Sequence, residues 1–295
     1  MKQLKILWQF SRPHTIIGSL CSITALYIIA CNGSNLSQYG WLYLATLIAA
    51  LACNVFIVGI NQVADVELDK INKPYLPMAA GTLTKKNALQ IIYTCLFICL
   101  LVSFFVAYFL FALIGLILLI GVAYSLPPLQ LKQHHLPAAL AITLVRGFLV
   151  NVGMFLHFQH YMHNNYQLPG YVWCITFFIM AFSIAIAWFK DLPDTEGDSK
   201  FDIKTFPLLY SKRNALWGGT ILVSLAYAYV LYWSSTANYP NTNFLIIADI
   251  ILFILFLINF ASVKLNDQLS IKKFYLRFWV FFFAAYGVFA VWALL

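Results

Sequence analysis

Long apolar stretches alternate with short polar segments along this chain. Stretches long enough to cross the ~30 Å hydrocarbon core of a bilayer begin near Thr15, Tyr39, Ala88, Leu136, Tyr171, Asn214, Phe244 and Phe274. The stretch from Ala88 to Tyr124 contains no charge. As a single helix it would be roughly 55 Å long, so we interpret it as two spans joined by a tight turn. The pattern predicts an all-α, polytopic membrane protein with nine transmembrane helices around a central cavity.

The basic residues support a count of nine spans. Of the 18 Lys and Arg residues, 17 fall in five segments: the N-terminus up to Arg12, residues 70–86, Lys132, residues 190–213 and residues 264–277. The loops near residues 32–38, 159–169 and 234–243 contain none. With nine spans, all five basic segments lie on one side of the membrane, whereas eight spans would divide them. Because basic loops stay in the cytoplasm, we expect the N-terminus and the loops of this side to be cytoplasmic.

Composition excludes the soluble classes of protein, because 62% of the residues are hydrophobic and only 9% are charged. The net charge of +8 does not indicate nucleic acid, since the bases are spread over several short loops. We expect membrane lipid around the chain, and the oligomeric state is left open.

The six cysteines lie in apolar stretches without a CxxC motif, which is typical of small core residues. The start of the chain has no Arg/Ser-rich leader, so we expect a bacterial membrane.

Eight of the ten acidic residues lie in two short clusters on the predicted cytoplasmic side. The first cluster, NQVADVELD, contains Asp65 and Asp69, and the second, KDLPDTEGDSKFD, contains Asp191, Asp194, Asp198 and Asp202. Carboxylates four positions apart share one face of a helix, although Pro193 places the start of the second cluster on a loop. The two DxxxD pairs are 129 residues apart. This spacing suggests a weak internal repeat, about residues 40–160 and 170–295, within one domain spanning residues 1–295.

Two acidic helix faces on one side of a membrane are suited to a hard divalent cation. Mg²⁺ prefers carboxylate oxygens and takes phosphate oxygens as further ligands. We therefore predict that Mg²⁺ binds at Asp65, Asp69, Asp194 and Asp198. The bases that would neutralise a bound diphosphate are Lys73, Lys132, Lys190, Lys204 and Arg12. Loss of diphosphate from an allylic carbon leaves a carbocation, which a dry, aromatic cavity would protect.

A simpler interpretation is that these acids and bases are solvated loop charges. Two DxxxD pairs in matching positions on one side of the membrane favour the metal site instead. Two further charges, Arg146 and Asp249, lie inside predicted spans. Such charges mark functional sites by default, with pairing between neighbouring helices as the alternative for each. His14 either touches a substrate or makes a hydrogen bond at the start of a helix.

The chain resembles the UbiA-type intramembrane aromatic prenyltransferases. The pattern NxxxDxxxD of that family falls on Asn61, Asp65 and Asp69, and its second aspartate motif falls on Asp194 and Asp198. NQVADVELD, KDLPDTEGD and YSLPPLQLK carry this resemblance, and further segments look like those of the homogentisate prenyltransferases: SRPHTIIG, INKPYLPMAAG, YSLPP, VRGFLVNVG and KDLPDTEGD. Since we expect no transit peptide, the chain looks most like the cyanobacterial phytyltransferases. The resemblance covers most of the chain. It implies nine helices around a cavity and Mg²⁺-dependent transfer of a phytyl group to homogentisate, with decarboxylation.

The resemblance also implies roles for individual residues. The four aspartates of the two pairs would bind Mg²⁺, and Asn61 would take a metal or phosphate oxygen. Lys132 and Lys204 are the preferred diphosphate-contacting bases, followed by Lys73 and Lys190, while Tyr124 either helps by a hydrogen bond or only lies at the membrane interface. Arg12 and Arg146 are candidates for the acceptor carboxylate, because arginine matches carboxylate geometry. No general base stands out, and Asp191 is the most available candidate.

Two alternatives remain open at this point. Related enzymes use other acceptors, such as 4-hydroxybenzoate, a naphthoate, chlorophyllide or a haem precursor, and donors such as geranylgeranyl or solanesyl diphosphate. A transporter or lipid-binding protein is the alternative from a different class. Transporters usually place coupling charges near the bilayer midplane, whereas the charge here is concentrated near one membrane face.

Overall fold

The computed structural model describes residues 2–31 and 36–295, so residues 32–35 of the predicted loop 32–38 lie outside the described residues. Nine helices in the described part of the chain are long and apolar enough to cross a membrane, which confirms the predicted fold class. They are α2 (Pro13–Cys31), α3 (Gly40–Ala64), α5 (Lys85–Val106), α6 (Tyr108–Ser125), the fifth span (His135–His163), α9 (Gly170–Phe189), α12 (Lys212–Thr236), α13 (Thr242–Ala261) and α14 (Gln268–Trp292). The fifth span begins with α7 (His135–Ile142) and ends with α8 (Met154–His163).

Short helices lie between the spans, mostly at one end of the bundle. They are α1 (Lys2–Phe10), α4 (Val66–Asn72), a 3₁₀ turn (Leu131–Gln133), α10 (Thr195–Lys200) and α11 (Phe206–Tyr210). Both acidic clusters are at this end.

The turn within the long apolar stretch lies at Ala107. This residue has an extended backbone, with φ −165° and ψ 140°, and separates α5 from α6. One extended residue interrupts the helical hydrogen bonds and reverses the chain. The interpretation as two spans is confirmed, and the structure adds the position of the turn, which hydropathy does not mark because the residues on both sides are equally apolar.

Six of the nine spans surround a cavity, which is lined by residues of α2, α3, α6, the fifth span, α9 and α14. The other three spans lie outside this ring, with α5 packed on α3 and α6, α12 on α9, and α13 between α12 and α14. Outer helices expose large apolar side chains such as Phe97 and Ile254. Lipid is as apolar as these side chains, so their exposure is expected for a membrane protein.

The fifth span changes from α- to π-helical over Thr143–Gly153. The side-chain amide of Asn151 donates to the carbonyls of Arg146 (3.1 Å) and Gly147 (2.7 Å), groups that the wider turn leaves accessible. The Tyr286 hydroxyl of α14 donates to the Asn151 carbonyl oxygen at 2.9 Å. A Cβ atom at Gly147 would lie 2.9 Å from the Met180 backbone, so only glycine permits this approach to α9. Irregular helical turns of this type often occur at functional sites, and this one carries Arg146.

Candidate functional site

The cavity between the six inner spans has a volume of about 260 Å³ and is polar at one end and apolar at the other. Arg12, Asn61, Tyr124 and Lys190 line the end nearest the acidic clusters. The walls further inside the membrane are mainly apolar, with Ile23, Cys53, Ile114, Ile117 and Met154 among their residues. A site of this shape suits a ligand with a charged head and a hydrocarbon tail.

The first acidic cluster lies on a slightly interrupted helix. Asp65 separates α3 from α4, with φ −106° and ψ 17°. The spacing of four residues survives the break, because the Asp65 amide donates to the Asn61 carbonyl (3.0 Å) and the Asp69 amide donates to the Asp65 carbonyl (2.7 Å). Asp69 is buried, whereas Asp65 is partly exposed.

The second acidic cluster begins on a turn, as Pro193 indicated. The chain leaves α9 at Phe189 and turns through residues 190–194 before α10 starts at Thr195. The Asp198 amide donates to the Asp194 carbonyl at 3.1 Å, which places these two aspartates one helical turn apart. Both side chains and that of Asp191 are buried.

Lys73 joins the two clusters. Its ammonium group forms a close ion pair with Asp194 and lies 3.9 Å from Asp69. Arg12 approaches from the start of α2, donating to the Asn61 side-chain oxygen at 3.3 Å and lying 3.9 Å from Asp69. The two sequence motifs, far apart in the chain, therefore form one charged surface.

Two further lysines that the sequence assigned to diphosphate also lie against carboxylates. Lys132 donates to Asp65 at 2.5 Å, and Lys190 donates to Asp191 at 2.7 Å. Lys190 and Tyr124 also line the cavity.

Asp191 pairs with Lys190 and is not among the residues that line the cavity, an arrangement that does not favour it as a base for a substrate inside. We call the ten residues Asp65, Asp69, Asn72, Lys73, Lys132, Lys190, Asp191, Asp194, Gly197 and Asp198 the carboxylate cluster.

Asn72 is a member of this cluster that the sequence reasoning missed. Its buried amide donates to Asp198 at 3.0 Å and accepts from the Gly197 backbone amide at 3.0 Å. A Cβ atom at Gly197 would lie only 2.3 Å from the Asn72 side chain, so the contact requires glycine. Asn72 thereby ties the end of α4 to α10. Its only signal in the sequence is its position after the first aspartate motif.

Two carboxylate oxygens of the cluster are available to a cation. Asp69 Oδ2 and Asp194 Oδ1 are buried and have no hydrogen-bond partner among the described residues. Burial, together with Asp191 and Asp194, raises the pKa of Asp198 to about 7. Burial also raises the pKa of Asp69 against the opposing effect of Lys73. Buried carboxylates with unpaired oxygens fit a divalent metal, which satisfies them and offsets their mutual repulsion.

The carboxylates are interleaved with lysines. Within residues 2–31 and 36–295, no three His, Cys, Asp or Glu side chains form a group that could hold a metal ion. The arrangement nevertheless supplies oxygens for a cation and ammonium groups for an anion on the same surface, which is the combination that a metal–diphosphate pair needs.

Lys204 and Asp249 lie apart from this cluster. The Lys204 backbone joins the loop before α7, since its amide donates to Gln133 (2.9 Å) and its carbonyl accepts from His135 (2.9 Å). The Lys204 side chain is exposed and forms no ion pair with any described residue. Asp249 is buried in α13, which is outside the ring of spans that lines the cavity.

A second polar region of the cavity lies on its wall. The Arg146 guanidinium carbon is 4.6 Å from the centre of the Trp279 ring and 5.8 Å from that of Phe282. The His14 ring packs against Trp279 at 4.9 Å and approaches Tyr275 edge-on at 6.4 Å. We call these residues (His14, Arg146, Tyr275, Trp279 and Phe282) the cation–aromatic wall. No carboxylate in the described part of the chain pairs with Arg146.

Comparison with known proteins identifies the family of the chain. The profile of the UbiA prenyltransferase family matches residues 19–286. The chain is 39% identical to homogentisate phytyltransferase of Synechocystis sp., over 97% of this chain and 94% of that protein. It is 37% identical to the chloroplastic homogentisate solanesyltransferase of Arabidopsis thaliana, over 75% of this chain and 58% of that protein.

A solved structure shows the same fold. It is that of a UbiA homolog from Archaeoglobus fulgidus bound to GPP and Mg²⁺. The TM-score is 0.66 and the identity 16%, over 96% of this chain and 99% of that one.

Proposed function

The chain belongs to the UbiA prenyltransferase family, and from this membership we propose that it transfers a phytyl group from phytyl diphosphate to homogentisate. As a member of the family, it is an integral membrane prenyltransferase. The observation that carries the proposal is the 39% identity to a homogentisate phytyltransferase across nearly the whole chain. The product is a methyl-phytyl-benzoquinol, a precursor in tocopherol synthesis.

The reaction has a simple balance of bonds. The bond between the allylic carbon and the diphosphate oxygen breaks, and both electrons leave with the diphosphate. The aromatic ring supplies the electron pair of the new carbon–carbon bond, and loss of a ring proton restores its aromaticity. The acetate side chain loses CO₂ and takes up a proton to become the methyl group.

The carboxylate cluster would bind the diphosphate end of the donor. Asp65, Asp69, Asp194 and Asp198 would hold Mg²⁺, which would supply Lewis-acid stabilisation of the leaving diphosphate. One buried oxygen each of Asp69 and Asp194 has no hydrogen-bond partner among the described residues, which supports this assignment, as does the magnesium in the related archaeal structure.

Positively charged and amide side chains complete the diphosphate site. Lys73, Lys132 and Lys190 already lie against the carboxylates, so each is close enough to contact a diphosphate held there. Asn61 and Tyr124 line the adjoining end of the cavity and would supply neutral hydrogen bonds. Lys204 remains a candidate from the sequence, but its exposed side chain makes it the weakest.

Of the two arginine candidates for the acceptor carboxylate, the geometry favours Arg146. Arg12 donates to Asn61 and lies close to Asp69, so it already has partners in the metal region. Arg146 is partly buried in a membrane span and has no anionic partner among the described residues, and an unpaired charge inside a membrane is costly. The carboxylate of a small aromatic acid would provide that partner through a bidentate hydrogen-bonded pair.

We also propose that the carboxylate cluster faces the cytoplasm of a bacterial cell. The support is the location of 17 of the 18 basic residues in five segments of one membrane side. The chain is proposed to act as a single domain with a weak internal repeat.

The proposal is tested by prenyl transfer in membranes that contain this protein. Labelled homogentisate and Mg²⁺ are offered with phytyl, geranylgeranyl or solanesyl diphosphate in parallel, with EDTA as a control. We expect an EDTA-sensitive prenylated quinol, formed fastest with phytyl diphosphate. Preference for solanesyl diphosphate would contradict the proposed donor and indicate a homogentisate solanesyltransferase, as the Arabidopsis relative is named. Product from 4-hydroxybenzoate alone would leave the enzyme class intact but contradict the acceptor, and no product from any acceptor would contradict the proposed reaction.

A further inference from the structure

His14 is the only histidine among the residues that line the cavity. It lies in the first turn of α2, next to Arg12, and its ring packs against Trp279. In the described part of the chain, neither of its ring nitrogens has a hydrogen-bond partner. Of the two alternatives for His14, the hydrogen bond at the helix start is therefore absent among the described residues, and the ring presents an unused donor and an unused acceptor to the cavity.

The charges around His14 are all positive. Arg12 on its own segment, Arg146 from the π-helical segment and Lys73 from the loop after α4 act on the ring, and Tyr275 of α14 is the titratable group packed beside it. No carboxylate of the described residues contributes. The His14 ring therefore has no anionic partner among the described residues, and its nitrogens are available to a polar group of a ligand.

His14 and Arg146 both pack against the indole ring of Trp279. The two distances to that ring, 4.9 and 4.6 Å, limit the separation of the imidazole centre and the guanidinium carbon to their sum, 9.5 Å. Hydrogen bonds of about 3 Å at each end leave at most about 3.5 Å along the line between the two groups, which is enough for a hydroxyl oxygen and a neighbouring carboxylate oxygen of one ligand. The pair therefore suits a small aromatic acid in which a hydroxyl group lies next to the side chain that carries the carboxylate.

We propose that His14 accepts a hydrogen bond from a phenolic hydroxyl of the acceptor while Arg146 binds its carboxylate, so that His14 determines selection for hydroxylated aromatic acids. The inference rests on the proposed function, because it concerns the acceptor of that reaction. It assigns His14 to substrate recognition and gives it no part in binding the donor.

The test combines changes in the enzyme with changes in the ligand. Phenylacetate, 2-hydroxyphenylacetate and 3-hydroxyphenylacetate are measured as competitive inhibitors against homogentisate, for wild type, His14→Phe and His14→Gln. His14→Phe keeps an aromatic ring on Trp279 but removes the hydrogen bond, and His14→Gln keeps an acceptor oxygen. His134→Ala, which changes an exposed histidine outside the cavity, is the matched control.

One hydrogen bond corresponds to about a tenfold effect. In wild type, we expect removal of the contacted hydroxyl to weaken inhibition about tenfold. In His14→Phe, the KM for homogentisate rises about tenfold, while inhibition by the analogue that lacks the contacted hydroxyl and the KM for phytyl diphosphate stay unchanged. His14→Gln recovers part of the loss, and His134→Ala behaves as wild type.

A uniform loss for all three analogues and homogentisate would mean that His14 only supports packing, and the inference would fail. The inference would also fail if wild type and His14→Phe had the same KM for homogentisate and the same inhibition constants for the three analogues. Failure of the proposed function is distinguishable, since wild-type enzyme would then form no prenylated product from homogentisate at all.

Discussion

The two polar regions of the cavity differ in how their charges are balanced. In the carboxylate cluster, Lys73, Lys132 and Lys190 each lie against an aspartate. In the cation–aromatic wall, Arg146 lies over aromatic rings with no acidic partner in the described residues. The first region can accept a metal cation and an anion together, whereas the second can accept only an anion or a neutral polar group. Changes in the first should impair donor and metal binding, and changes in the second should impair acceptor binding.

The largest effect is expected for Asp65→Asn and Asp198→Asn. Each variant keeps the shape of the side chain but removes a charge proposed to bind Mg²⁺, and we expect kcat/KM to fall by about a thousandfold or more, about 4 kcal/mol. Membrane insertion should be unchanged. The measurement is prenyl transfer at saturating Mg²⁺ by purified protein.

Two neighbouring glutamates provide matched controls for these aspartate variants. Glu67→Gln in α4 and Glu196→Gln in α10 change exposed acids that pair only with Lys70 and Lys200. Both should retain near-normal activity. Near-normal activity of either aspartate variant would contradict the metal site.

Arg146→Gln should affect the cation–aromatic wall, and therefore binding of the acceptor. A hydrogen-bonded pair between charged groups contributes about 1.5–3 kcal/mol, so the KM for homogentisate should rise up to about a hundredfold. The KM for phytyl diphosphate should not change. Arg12→Gln is the comparison, because Arg12 contacts Asn61 and Asp69, so it should alter the Mg²⁺ requirement instead. If Arg146→Gln raised both Michaelis constants equally, the two regions would not be functionally separate.

Asn72→Ala tests whether the contact between α4 and α10 positions Asp198. Loss of a partner that orients a metal ligand typically costs 10–100-fold in metal affinity, and we expect the Mg²⁺ concentration for half-maximal activity to rise by about that factor. Gly197→Ala should act in the same direction, because its Cβ would collide with Asn72. Asn87→Ala, in the first turn of α5, serves as the control. An unchanged Mg²⁺ requirement would show that Asp198 is positioned without Asn72.

The smallest effect is expected for Lys204→Ala. Exposed charges contribute little to local energetics, and we expect kcat/KM to change by no more than about twofold. Lys73→Ala should be far more damaging, because it leaves buried Asp194 without its cation and Asp69 with Arg12 alone. If kcat/KM fell more than tenfold in Lys204→Ala, Lys204 would have to contact the diphosphate, as its sequence position suggested.

Much of the fold could be predicted because its causes are local. A span is recognised from about 20 consecutive apolar residues, and basic loops indicate orientation, so the count of nine required no knowledge of packing. The turn at Ala107 was invisible, since alanine there differs little in hydropathy from its neighbours. The π-helical segment was equally unmarked, because it depends on Asn151 and its contact with Tyr286, 135 residues away.

In the candidate site, too, local features could be predicted from the sequence, whereas contacts between distant residues could not. The DxxxD pairs were found because a spacing of four places side chains on one helix face. Asn72 was missed because its partner Asp198 is 126 residues away and nothing in its own segment marks it. His14 and Arg146 were each noticed, but their common position on Trp279 was not predictable from either segment.

The sequence by itself thus determined the membrane class, the nine spans and the two aspartate motifs. Hydropathy and helical spacing act over fewer than about 30 residues, so they can be read directly from the chain. The tertiary structure alone decided which lysine faces which aspartate, which arginine lacks a partner and which residues share the cavity wall. Those relations depend on how distant helices pack, and packing is set by the shapes of side chains that meet only in the folded protein.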